Sequence, residues 1–93
     1  MSIERFEQLE VWQIAHKIVL DVYKGTTHLP PEEKFGLVSQ VRRAAVSVPG
    51  NIAEGFKRRG EADKKHFYNI AQSSLEELRY YTILTRLRSS GAY

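Results

Sequence analysis

The sequence predicts an all-α bundle. Three segments repeat their apolar residues with the helical period, no segment alternates with the period of a strand, and Gly, Pro and Thr cluster between the periodic stretches. Helices are expected at about residues 9–24, 34–57 and 61–88, in a single helical-bundle domain spanning 1–93. Short connections favour antiparallel neighbours.

In the first segment Val11, Trp12, Ala15, Ile18, Val19 and Val22 share one broad face. Glu10, Gln13, Lys17, Asp21 and Lys24 lie opposite. Gly25 follows the last periodic residue and suits a left-handed cap. Thr26 to Pro31 then reads as a loop, because two prolines do not fit a helix interior.

The second segment opens on Pro31-Glu32-Glu33, a proline and two acids that suit a helix N-terminus. A separate short turn before a helix starting near Phe35 fits as well. Leu37, Val38, Val41, Ala44, Ala45 and Val48 form the apolar stripe. Pro49-Gly50 is normally a stop signal. Yet Ile52, Gly55 and Phe56 rejoin the same stripe if the helix continues. One helix kinked at Pro49 is therefore expected, at a cost of about 3 kcal/mol. Two helices broken at 49–50 are the alternative.

In the third segment Phe67, Ile70, Ala71, Ser74, Leu75, Leu78, Tyr81, Thr82 and Thr85 share a face. Tyr80, Ile83, Leu84 and Leu87 form a second apolar set pointing elsewhere. A helix apolar on two sides must bury both. The five residues after Arg88 are too few and too polar to cover the second side, so a partner or another subunit is expected there.

Composition narrows the class. There are no cysteines among 93 residues, which excludes disulfides, thiol catalysis and zinc–thiolate sites. The start MSIERFEQLEVW lacks the pattern of a signal peptide, and no apolar run is long enough to span a membrane. A cytoplasmic protein is the expectation. Hydroxyls on the helices sit in no nucleophile motif, and His16, His28 and His66 have no triad spacing, so no enzyme is expected. Asp63-x-x-His66 has the spacing of one carboxylate–histidine metal motif, but the second motif is missing. No cofactor or metal is expected.

Charge is more informative. Residues 1–33 carry net −3 and residues 34–93 net +6. Lys57, Arg58, Arg59, Lys64 and Lys65 crowd one turn and the start of the third helix, with Arg42 and Arg43 upstream. Such a cluster suits phosphates, and Phe56 and Tyr68 are near enough in sequence to stack on bases. Solvated helix faces are the plainer reading. On helix 2, Arg43, Ser47, Asn51 and Glu54 form a polar strip beside the apolar stripe. It is either a solvated back or a polar contact that fixes an assembly. Tyr80, Ile83, Leu84 and Leu87 complete the candidate oligomer interface.

Several runs resemble a known family: Leu9-Glu-Val-Trp-Gln-Ile-Ala-His16, Arg42-Arg-Ala-Ala-Val-Ser-Val-Pro49, Asn51-Ile-Ala-Glu-Gly55 and Ser74-Leu-Glu-Glu-Leu78. They are similar to the four-helix-bundle 23S ribosomal RNA intervening-sequence proteins. The resemblance implies an antiparallel up-and-down four-helix bundle, assembly as a ring-like homopentamer, a bacterial source and no enzymatic activity. It also implies possible RNA partners, and a reverse transcriptase in related retroelement systems. Two departures stand out. Gly50 replaces the usual Ser, and only three helices are evident before Tyr93. The fourth-helix position is then either empty or filled by another chain.

Overall fold

The computed structural model describes the backbone of residues 2–90 and the side chains up to residue 86. It is all-α. A short 3-10 turn, Phe6–Gln8, leads into α1, Glu10–Thr26. A second 3-10 turn, Pro31–Glu33, and a π-turn, Lys34–Val38, lead into α2, Ser39–Lys57. The last helix, α3, runs Glu61–Ser90. No strand occurs among the described residues.

Helix α1 passes through Gly25 rather than ending there. Its last residue, Thr26, explains why. The hydroxyl donates to the Val22 carbonyl at 2.8 Å and accepts from Arg42 Nε at 2.9 Å. Thr26 is buried, so its hydroxyl needs these partners. Arg42 Nη2 also donates to the Tyr23 carbonyl at 3.2 Å, and its guanidinium lies 4.5 Å from the Tyr23 ring centre. The end of α1 is thus served without a glycine cap: Arg42 donates to the Tyr23 carbonyl, the Thr27 hydroxyl to that of Lys24, and the backbone N–H groups of His28 and Leu29 to those of Gly25 and Thr26.

Helix α2 is continuous through Pro49, which is itself buried. The alternative of two helices broken at 49–50 does not occur. Pro49 removes one backbone donor, and burial of Val41, Ala44, Ala45, Val48 and Ile52 on one stripe offsets the loss. Both readings of the α2 entry hold in part: Pro31–Glu33 forms a turn of its own, yet the chain then enters the helix without a gap. The π-turn leaves Phe35 89% exposed.

Helix α2 is the centre of the fold and packs against both α1 and α3, which scarcely touch each other. Ser47 meets Ser74, and Gly55 meets Tyr68, so α2 and α3 run antiparallel. The Thr26–Arg42 contact and the packing of Ala15 beside Val48 and Ile52 make α1 antiparallel to α2 as well. One core cluster gathers Leu37, Val41, Ala44, Ala45 and Leu78; the other gathers Ala15, Val48, Ile52 and Ala71. Many of these are small, which lets α2 approach its neighbours closely. At Gly55 the approach is tightest: a Cβ there would fall 2.5 Å from Tyr68 Cε1.

Candidate nucleic-acid and assembly interface

The turn from α2 to α3 concentrates the basic residues, and local physics engages most of them. Helix α2 ends with unpaired carbonyls and the negative end of its dipole. Lys64, one turn into α3, donates from Nζ to the Phe56 carbonyl at 2.9 Å and the Gly55 carbonyl at 3.1 Å. Glu54 holds two more bases. Its Oε2 accepts from Arg58 Nη2 at 3.1 Å, and Lys57 Nζ lies 3.6 Å from Oε1. The Arg58 guanidinium also stacks 4.7 Å from the centre of the Phe67 ring.

The seven basic residues singled out by sequence therefore divide. Arg42, Lys57, Arg58 and Lys64 have partners within the chain. Arg43, Arg59 and Lys65 are exposed, with no hydrogen bond or ion pair to any described residue. Lys64 stands at the positive end of α3, where its charge opposes the dipole. The carbonyls of α2 account for its place there.

The polar strip on α2 is largely an internal seam. Ser47 Oγ and Ser74 Oγ share a hydrogen bond of 2.7 Å between α2 and α3. Asn51 Nδ2 donates to Ser47 Oγ at 3.0 Å and to the Ser47 carbonyl at 2.8 Å. Glu54 is taken by Lys57 and Arg58. Of the four residues only Arg43 keeps its charge wholly toward solvent.

The apolar surfaces are larger than the sequence suggested. Because α1 and α3 lie on either side of α2 without closing over it, a groove remains between them. Val11, Ile14 and Ile18 of α1 and Tyr68 and Leu75 of α3 form its walls, and Val48 and Ile52 its floor. This hollow of about 460 Å³ meets a second, of about 400 Å³, at Ile18. The second continues toward Asp21, His28, Leu29 and Arg86. The α1 face is thus only half covered: Val11 is 56% exposed and Ile14 55%.

A family model for the 23S rRNA-intervening sequence protein matches residues 7–90. The chain belongs to that family. No curated protein matches it.

In this member of the family the second apolar set of α3 is split. Tyr80 and Ile83 remain 59% and 50% exposed, while Leu84 packs partly against the core cluster of Leu37, Val41 and Leu78. The Leu87 side chain lies outside the described residues. Phe35, Leu20, Tyr23 and Val46 are further exposed apolar side chains that the groove does not use. Sequence reading missed these and Ile14, though Ile14 stands three residues from Val11 and four from Ile18, a spacing that widens the α1 stripe. Among the described residues, no helix is long and apolar enough to cross a membrane.

Proposed function

We propose that this family member is a non-enzymatic binding module that works as a homo-oligomer in the cytoplasm. The carrying observation is the large apolar side chain left in water outside the groove, above all Tyr80, Ile83 and Phe35. Uncovered apolar area of this kind is removed by association. The resemblance supports a ring of five. Tyr80 lies on α3 and Phe35 on the π-turn before α2, and contacts between unlike patches on successive copies give a ring when the rotation between copies closes. The test is the solution mass of the chain and of its Y80E/I83E variant. An oligomer that falls to monomer in the variant supports the reading; a wild-type monomer at micromolar concentration removes it.

RNA is the second element of the proposal. Arg43, Arg59 and Lys65 support it, because cations without an internal partner are free for phosphates, and an oligomer multiplies them. Binding of short RNA at low salt, weakening steeply as salt rises, is the expected result. Absence of binding at low salt leaves a protein-interaction module without nucleic acid.

A further inference from the structure

The outer face of the α1–α2 pair, away from the groove, carries a row of rings. Trp12 and His16 stack at 5.0 Å with their planes 12° apart, and Phe6 meets Trp12 edge-on at 5.2 Å. Tyr23 stands seven residues beyond His16, on the same side of α1, and its ring is held by the Arg42 guanidinium. Leu20 of α1 and Val46 of α2 each lie one turn from that contact, in the same direction because the two helices run antiparallel. His16, Leu20, Tyr23 and Val46 are all exposed, and none of them lines the groove.

The charge beside these rings is positive. A lysine follows each exposed ring, as His16-Lys17 and Tyr23-Lys24. Both lysine side chains are exposed, with no hydrogen bond or ion pair to any described residue. The unpartnered Arg43 lies one turn before Val46. Helix α1 has no acid from residue 11 to residue 20, and Asp21 lines the groove instead. Residues 16 and 23 are about 10 Å apart along the helix axis, the length of about three nucleotides in a stacked strand.

We propose that this face binds a short stretch of single-stranded RNA, with bases against the rings of His16 and Tyr23 and phosphates on Lys17 and Lys24. The site rests on the RNA reading above and adds to it the state of the strand. Every base offers a π-face to an aromatic ring, so such a platform tolerates any sequence. In a duplex those faces are already stacked on neighbouring pairs, and a row of rings on a rigid helix has nothing to meet. Lysines alone would not tell the two forms apart; the ring beside each lysine does. Arg42, engaged by Thr26 and the Tyr23 carbonyl, orients the Tyr23 ring rather than meeting a phosphate.

Three probes test this at low salt: a uridine strand of about 12 nucleotides, an abasic strand with the same ribose-phosphate backbone, and the uridine strand paired with its complement. The uridine strand is expected to bind roughly tenfold tighter than either of the others. It alone should quench the fluorescence of Trp12, the single tryptophan, because a base on His16 extends the stack that Trp12 begins. The H16A/Y23A variant is expected to lose the preference for bases and keep the salt slope. K17Q/K24Q should do the reverse, keeping the preference while the slope falls by about 1.4 for two phosphates. Abasic strand or duplex binding as tightly as the uridine strand overturns the single-strand site and leaves the RNA reading standing. A preference for bases that survives H16A/Y23A overturns it too. If none of the three probes binds, the RNA reading fails and this site fails with it.

Discussion

Lys64 Nζ donates to the Phe56 carbonyl oxygen across the turn that joins α2 to α3. A residue whose sequence context suits phosphate binding thus caps a helix. Replacing it with methionine keeps the aliphatic stem and removes the charge. Lys64→Met is expected to lower stability by about 1–2 kcal/mol in urea unfolding at fixed protein concentration. Lys65→Met, next to it and unpaired, should stay within about 0.5 kcal/mol. Equal effects would contradict the capping role.

Gly55 and Tyr68 predict a change of sign. Gly55→Ala forces the Tyr68 ring off the α2 backbone and is expected to cost about 1–3 kcal/mol. In a Tyr68→Ala background the obstacle is gone. There the same change should be neutral or stabilising by up to about 1 kcal/mol, since alanine is the better helix former. Thermal unfolding of the four proteins in the cycle measures the coupling.

The Ser47–Ser74 hydrogen bond lies at a seam where Ser74 is buried. Either single alanine leaves the other hydroxyl without this partner, at about 1 kcal/mol or more. The double variant removes both polar groups and is expected to cost less than the sum of the singles. Additive losses would show that the two hydroxyls act independently.

Arg42 binds Thr26 and Tyr23 through a planar fork and a ring stack, neither of which lysine reproduces. Arg42→Lys is expected to destabilise by about 1 kcal/mol. It should leave the salt slope of any RNA binding unchanged. Arg59→Gln and Lys65→Gln should do the reverse. Stability stays intact, and the slope falls by about one for each phosphate that a protomer no longer neutralises. The slope of log affinity against log salt checks both.

Much of the secondary structure was legible from periodicity. The α2 stripe resumes at Ile52 after Pro49, so an unbroken helix could be expected despite the stop signal, and Ser39–Lys57 is one helix. The end of α1 does not fall at Gly25, as the glycine suggests. The residue that extends the helix is Thr26, and the side chain that makes its burial tolerable, Arg42, is sixteen positions away. The candidate basic site was legible as composition but not as function. Lys57, Arg58 and Lys64 have the same residue type as Arg59 and Lys65, and only their partners distinguish them.

By itself the sequence determined that three helices form and where they run to within a few residues, which face of each is mainly apolar, and that α3 carries more apolar surface than one contact can hide. These follow from the 3.6-residue period, a local property of the chain. Tertiary structure decided which charges are already engaged: Glu54 for Lys57 and Arg58, the α2 carbonyls for Lys64, Thr26 for Arg42. It also decided that α1 and α3 stand apart over α2 and leave Val11, Ile14, Tyr68 and Leu75 around an open groove. Periodicity tells which side of a helix seeks cover, but whether cover arrives depends on where the other helices lie.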